Sequence, residues 1–263
     1  MRLQGRRAVV TGAGGVIGAA VVEAMLREGA RVCLVDVRVE AAERTRRAAV
    51  DGAGAGAGEM IVHVADIRAQ GAAEGIVEAA QHAWGGIDIL INNAGLYPNT
   101  PLLEMPDEEW DRVIDTNFNG PFRLARAAAR AMVAQGKGGV IINMISGAAD
   151  SARRGSAHYS ASKAALASLT RSLALELGPY GIRAVSVSPG LTLGSEVSPL
   201  SAQYTSTLTA GVPLGRAARG EDTAAAVVFA CSEEASFISG SVIKVDGGGS
   251  AGRFSLPLST PGS

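Results

Sequence analysis

Tyr159 and Lys163 stand four residues apart in the stretch His158-Tyr159-Ser160-Ala161-Ser162-Lys163, which opens a long alanine- and leucine-rich segment. On a helix that spacing puts the phenol and the ammonium on one face. A free tyrosine ionises at a pKa of roughly 10, and a fixed cation nearby favours the phenolate, so the pair could exchange protons near neutral pH. The same spacing also occurs where a lysine is only a solvated charge on a helix surface. The elements that would have to hold the pair in place decide between these readings.

The chain has 263 residues, 47% of them apolar, enough to bury a substantial single core. A net charge of −1 gives no general attraction to nucleic acid or anionic membranes. Small-molecule chemistry is therefore expected, with no nucleic-acid and no membrane partner. Cys33 and Cys231 sit in apolar and alanine-rich runs and are expected to be buried thiols in a reducing compartment. No thiol chemistry and no metal site are indicated. The basic start, Met1 to Arg7, leads into Ala8-Val9-Val10, too short an apolar run for a secretory signal. No stretch reaches membrane-spanning length, and the expected location is the cytoplasm.

From about residue 6 to 90, β-branched runs alternate with amphipathic, alanine-rich segments. That pattern predicts an α/β fold, a single doubly wound parallel sheet of Rossmann type with helices on both faces. The first run ends in Thr11-Gly12-Ala13-Gly14-Gly15-Val16-Ile17-Gly18, and a helix is expected to follow through about Arg27. Such a strand-to-helix turn suits a dinucleotide: glycines let the backbone approach the pyrophosphate, and the free N–H groups at the helix start attract its charge. Asp36 lies twenty-four residues beyond Gly12, at the end of Arg31-Val32-Cys33-Leu34-Val35. A carboxylate there can accept from both ribose hydroxyls and repels a 2′-phosphate, which favours NAD over NADP. Val37 offers no cation to such a phosphate, and Arg38 is expected on the solvated face of the next helix.

Further strands are predicted at Met60 to Val64, at Ile87 to Ile91 and at Val140 to Ile145. They lead into Ala65-Asp66-Ile67, where a carboxylate could meet the adenine amino group, into Asn92-Asn93-Ala94-Gly95, and into Ser146. The nearly alternating glycines and alanines between Asp51 and Gly58 are expected to form a flexible surface connection. Residues 107 to 134 read as one helix, but Asn117 is soon followed by Gly120-Pro121, which predicts a kink or an opened backbone group there. Residues 191 to 216, before a helix from Gly220 to Cys231, are expected to form a lid over the substrate. A last strand is expected at Val242 to Val245.

Taken together these motifs resemble the short-chain dehydrogenase/reductase family, in its shorter subfamily, from about residue 5 to residue 249. The resemblance rests on Thr11-Gly12 with Gly18, Asp66, Asn92 to Gly95, Asn117, Ser146, Tyr159 with Lys163, Ser188-Pro189-Gly190, Gly240 and Asp246-Gly247-Gly248, all occurring in order. Ser146 and Tyr159 also stand thirteen residues apart, the spacing that subfamily uses.

The likeness implies a single sheet of about seven strands in a catalytic domain, residues 1–249, with a tail at 250–263. It also implies a catalytic set in which Tyr159 gives and takes a proton, Ser146 holds the carbonyl, Lys163 activates the tyrosine and binds the nicotinamide ribose, and Asn117 positions a water linking the lysine to solvent. The implied reaction is NAD-dependent interconversion of a secondary alcohol and a ketone, in a homodimer or homotetramer. Two alternatives are a reductase of carrier-bound 3-oxoacyl groups and a dinucleotide-sensing regulator without turnover.

The expected cofactor contacts are Gly12, Gly14, Gly15, Val16, Ile17, Gly18, Asp36, Val37, Ala65, Asp66, Ile67, Asn93, Ala94, Gly95, Pro189, Gly190 and Thr192, with Tyr159 and Lys163. Val16 stands where the family has a glycine and is read as packing against the helix. Gly194 stands where the family often has a threonine, a role that Thr192 or Ser195 would take over. Expected substrate contacts are Leu96, Tyr97, Ala148, Arg153, Arg154 and His158. The two arginines either pair with a substrate anion or face solvent.

Overall fold

Short continuous runs of Val, Ile and Leu, without polar alternation, mark strands buried on both faces. In the computed structural model, which describes residues 1–52, 58–194, 201–252 and 254, such runs form one seven-stranded sheet in the order β3-β2-β1-β4-β5-β6-β7. Its strands are β1 (Arg7–Thr11), β2 (Arg31–Asp36), β3 (Met60–Val64), β4 (Ile89–Asn92), β5 (Gly139–Met144), β6 (Ile182–Pro189) and β7 (Val242–Val245), and every pairing is parallel. The chain builds outward from β1 to β3, then crosses back to lay β4 on the other side of β1. At that reversal the connections leave in opposite directions and open a crevice at the carboxyl ends of the strands.

The helices are α1 (Val16–Arg27), α2 (Val39–Gly52), α3 (Ala72–Trp84), α4 (Asp107–Ile114), α5 (Gly120–Gln135), α6 (Ala157–Leu177), α7 (Ala202–Ala210) and α8 (Gly220–Cys231). Successive strand residues point to opposite faces. Ala8, Val10, Leu34, Ile91 and Ile142 accordingly pack with α1 and α8, whereas Val9, Val35, Leu90 and Ile141 pack with α3, α5 and the end of α6. Cys33 and Cys231 are free and buried, one in each of these cores, and burial pushes both thiols up to about 12. No helix among the described residues is long and apolar enough to cross a membrane.

Residues 107 to 135 run as helix throughout, opened near Asn117 as expected. Between α4 and α5 the chain makes a π turn, Asp115–Asn119, closed by the Gly120 N–H reaching back to the Asp115 carbonyl. Pro121 explains the opening, since it has no N–H to continue the α ladder. Gly120 fits there because an added Cβ would come within 3.0 Å of Ile67 Cδ1. In the expected lid, α7 is a helix and Thr192 bridges to Ala218. Residues 195–200, including the Ser195 contact, lie outside the described residues, as do residues 53–57 of the glycine-alanine connection and 253 and 255–263 of the tail.

Strand register sets Asn92, Asn143 and Ser186 side by side. Asn92 Nδ2 donates to Asn143 Oδ1 (2.9 Å), Asn143 Nδ2 to Thr170 Oγ1 (2.9 Å), and Ser186 Oγ to the same Thr170 oxygen (2.9 Å). A polar row thus crosses three strands and ends on α6, the helix that carries Tyr159 and Lys163. Thr170→Val keeps the shape but orphans two buried donors, at about 1–3 kcal/mol each. Urea unfolding of this variant is expected to show a lower midpoint at unchanged slope; an unchanged midpoint would mean the row contributes nothing to stability.

Candidate active site

The cleft begins where β1 ends. Thr11 Oγ1 accepts the N–H groups of Asn93 (3.0 Å) and Ala94 (3.1 Å), and Asn93 Nδ2 donates to the carbonyls of Thr11 (3.0 Å) and Gly12 (3.1 Å). These bonds join the β1 turn to the β4 turn. The glycines between them leave a cradle that side chains would fill: an added Cβ would lie 2.8 Å from Ala94 Cα at Gly12 and 2.5 Å from Ala41 Cβ at Gly14, and at Gly18 it would overlap the Gly12 carbonyl oxygen. Helix α1 starts just beyond, with no side-chain cap on its first turn, which is the arrangement that receives a phosphate anion. Val16 does not pack against the helix as expected. It is 38% exposed, and its Cγ2 lies 3.5 Å from where a Cβ at Gly194 would sit, so it lines the mouth of the cleft.

At the far end of the turn Asp36 is 6% exposed. Its Oδ2 accepts the Gly14 N–H and its Oδ1 the Arg38 N–H, each at 2.9 Å. Arg38 precedes α2 and does not lie on its solvated face: its Nε is 3.5 Å from Asp36 Oδ1 and the residue lines the cleft. Asp66 also lines the cleft, but its carboxylate is gripped by Arg68, with Nη2 to Oδ2 at 2.6 Å. That bond, against the opposing effect of partial burial, holds its pKa below the ordinary carboxylate range.

The other end of the cleft carries the residues with chemistry. Ser146 follows β5; its Oγ accepts the Ala148 N–H at 3.2 Å and hydrogen-bonds the Tyr159 phenol. Tyr159 lies in the first turn of α6. Burial raises its pKa, against the Ser146 bond and the charge of Arg153, which act downward. The lowering expected from a lysine neighbour is therefore not the net effect. Lys163 Nζ faces the tyrosine ring, 5.7 Å from its centroid, donates to the Met144 carbonyl at 2.8 Å, and is brought down to about 8 by burial.

Asn117 projects from the π turn and is fully buried. It closes a two-way bond with Leu96, accepting its N–H and donating to its carbonyl at 2.8 Å each, and donates to Ser162 Oγ at 3.1 Å. It does not line the cleft, and it has no direct bond to Lys163 among those described. A Cβ added at Gly95 would sit 3.4 Å from Asn117 Oδ1 and 3.6 Å from Lys163 Nζ, so the bare glycine keeps the space between them clear.

One continuous cleft of about 1540 Å³ takes in Ser146, Tyr159, Lys163 and every expected cofactor residue from Gly12 to Thr192. Its volume exceeds the roughly 300–1,000 Å³ of a typical small-molecule pocket, as a dinucleotide plus a substrate requires. Thr192 turns its hydroxyl onto the Gly190 carbonyl at 3.3 Å. On the substrate side, Leu96, Tyr97, Ala148, Arg153 and Arg154 line the cleft, with the Tyr97 ring 6.0 Å from that of Tyr159. His158 is a correction. It is 0% exposed and does not line the cleft, because one step along a helix turns a side chain by about 100°.

Arg38 and Arg44 at the adenosine end, and the Met144 carbonyl under Lys163, were not among the expected contacts. Ser162, three residues after Tyr159, is a further omission, for which helical spacing was an available signal. No cluster able to hold a metal ion occurs among the described residues.

A doubly wound sheet with a glycine cradle and a Ser-Tyr-Lys group at its carboxyl edge defines a dinucleotide-binding oxidoreductase. A family model described as enoyl-(acyl carrier protein) reductase matches residues 12–250. Sorbitol dehydrogenase of Cereibacter sphaeroides is 38% identical, over 94% of this chain and 98% of that protein. L-rhamnose 1-dehydrogenase (NAD(P)(+)) of Azotobacter vinelandii is 36% identical, over 94% and 98%. The crystal structure of a short-chain type dehydrogenase/reductase from Mycobacterium marinum superposes with a TM-score of 0.88 at 35% identity, covering 95% of this chain and 97% of that one. The chain belongs to the short-chain dehydrogenase/reductase family, whose members use nicotinamide dinucleotides.

Gly18→Ala should push α1 away from the Gly12 carbonyl and distort the cradle. Titration calorimetry with the reduced dinucleotide is expected to show binding at least about tenfold weaker, roughly 1.4 kcal/mol; unchanged affinity would mean the cradle does not bear on the cofactor.

Proposed function

We propose that this enzyme interconverts a secondary alcohol and a ketone with NAD, using Tyr159 as general acid and base. The observation that carries the reading is the convergence of Ser146, Tyr159 and Lys163 at one end of a cleft whose other end presents the Asp36 carboxylate. Gly12 to Gly18 would hold the pyrophosphate, Asp36 the adenosine ribose, and Lys163 the nicotinamide ribose. The bound nicotinamide supplies the hydride acceptor or donor.

Everything else falls to the protein. Ser146 Oγ holds the substrate oxygen beside the phenol. In oxidation the ionised Tyr159 takes the hydroxyl proton, and in reduction its O–H protonates the developing alkoxide. Lys163, charged below about pH 8, sets a cation next to the ring that favours the phenolate. Asn117, across the space cleared by Gly95, holds the water through which the proton leaves.

The names of the relatives make polyols and sugars the first substrates to try. A second reading, NADPH-dependent reduction of a carrier-bound 3-oxoacyl group, draws support from the family model and from Arg38, a cation beside Asp36 that could pair with a 2′-phosphate. A dinucleotide sensor without turnover has no comparable support, given the intact catalytic set.

Turnover of a panel of alcohols and ketones, followed by dinucleotide absorbance, tests the reading. Tyr159→Phe is expected to lose about 10²- to 10⁴-fold in kcat, the usual worth of a general acid or base, while still binding NADH; retained activity would remove the tyrosine from the mechanism. Asp36→Ala should relax discrimination against NADP, and an unchanged cofactor ratio would exclude Asp36 as the ribose ligand. Oxidation requires the deprotonated phenol, whose pKa burial raises. Oxidation should therefore accelerate, and reduction slow, as pH rises through the alkaline range; parallel profiles would contradict this assignment.

A further inference from the structure

His158 is absent from the cleft yet touches the backbone of the reacting residue. Its Nδ1 accepts the N–H of Tyr159 at 2.8 Å. That N–H is one of the first-turn donors that a helix leaves without a partner. Ser156, at the cap position, does not serve it: the Ser156 hydroxyl is turned back to the Arg153 carbonyl at 2.9 Å. An imidazole nitrogen that accepts carries no proton, so the ring proton is on Nε2. Nε2 faces Glu109 Oε1 at 3.1 Å, and Glu109 belongs to α4. The same carboxylate is hydrogen-bonded by the Thr100 side chain, which with its His158 bond holds its pKa below the ordinary value. Thr100 closes the Tyr97-to-Thr100 segment and donates its N–H to the Gly155 carbonyl at 2.9 Å.

The other main-chain polar group of Tyr159 is held in the same manner. Its carbonyl accepts from Ser162 Oγ at 2.7 Å, and Ser162 Oγ in turn accepts from Asn117 Nδ2 at 3.1 Å. Both main-chain polar groups of the tyrosine are thus gripped by side chains, and both chains of bonds end on one segment, α4 with its π turn. A buried histidine with a structural role needs only to satisfy its own ring. Here it satisfies the tyrosine.

We propose that Glu109 and His158 are a positioning pair that fixes the Tyr159 peptide, and with it the phenol, relative to Ser146 and the substrate-side loop. The inference rests on Tyr159 being the acid and base. Neither residue lines the cleft, so the expected defect lies in the chemical step: misplacing a reacting group by about 1 Å can cost on the order of 10²-fold.

Three substitutions separate the contacts. His158→Leu removes both bonds; His158→Asn keeps an acceptor near the position of Nδ1 but cannot reach Glu109; Glu109→Ala leaves the ring without its anchor. His158→Leu is expected to lower kcat by about ten- to a hundredfold with an unchanged KM for the dinucleotide, and to raise the primary isotope effect on a carbon-deuterated alcohol. His158→Asn should recover most of the loss, and Glu109→Ala should fall between the two. A normal kcat in His158→Leu with only a lower melting temperature, or failure of asparagine to rescue, would overturn the proposal.

An activity-independent measurement covers the case in which no substrate is turned over. The chain has four tyrosines, so nitrogen-15 tyrosine labelling resolves the Tyr159 amide, identified by its disappearance in Tyr159→Phe. Its hydrogen exchange should accelerate in His158→Leu and stay slow in His158→Asn. Equal protection in both variants would sink the positioning pair, whereas an absence of turnover alone would count against the proposed function.

Discussion

A positive charge kept out of water governs the carboxyl edge of this sheet. Lys163 is 5% exposed, donates to the Met144 carbonyl, and forms no ion pair among the described residues. Burying an ammonium without a counter-ion is unfavourable and draws it toward its neutral form, hence the fall to about 8. Such a group persists only if the surrounding structure fixes it from several directions. The phenol beside it is under the opposite pressure, since burial raises Tyr159. The same dry environment therefore drives the two proton affinities apart, so that the lysine gives up its proton before the phenol does, whereas a solvated pair on a helix surface would ionise at nearly the same pH.

The fold supplies the fixation in two places. On one side of the crevice, the row from Asn92 through Asn143 to Thr170 and Ser186 fastens α6 to three strands. At the seam between β1 and β4, Thr11 and Asn93 exchange hydrogen bonds at the carboxyl end, and Arg7 forks onto Asp88 at the opposite end. Burial of Asp88 opposes ionisation, but the Arg7 bonds outweigh it and keep the carboxyl ionised. The dinucleotide half and the chemical half of the site are thus locked in register by buried polar contacts, while the apolar cores above and below supply bulk stability.

Features set by local pattern were legible in the sequence. Met60–Val64 and Gly220–Cys231 appear with the expected bounds because a β-branched run, and an alanine-rich run opened by glycine, need no distant partner to be recognised. The doubly wound order followed from the strand-helix alternation. What could not be read depended on direction. His158 adjoins Tyr159 in sequence, and for that reason faces another way on the helix. Arg38 stands two residues beyond Asp36 at the strand end, where no helical period yet applies, and it folds back onto the carboxylate. The rise in the Tyr159 pKa was equally invisible, because it arises from burial by elements distant in the chain.

The π turn at Asp115–Asn119 has a consequence of phase. An α-helix advances by about 100° per residue, so one residue of surplus rotates everything before it relative to everything after. Helix α5 turns Leu124, Ala128 and Met132 into the core, while the preceding segment sends Val113 inward, Asn117 to Leu96 and Glu109 to His158. A regular helix with the same residues would satisfy one of these orientations and forfeit the other. Geometry at the tyrosine is therefore recorded partly as a count: a single-residue deletion here would leave Ser146, Tyr159 and Lys163 in the sequence and put the segment packed beside them out of step.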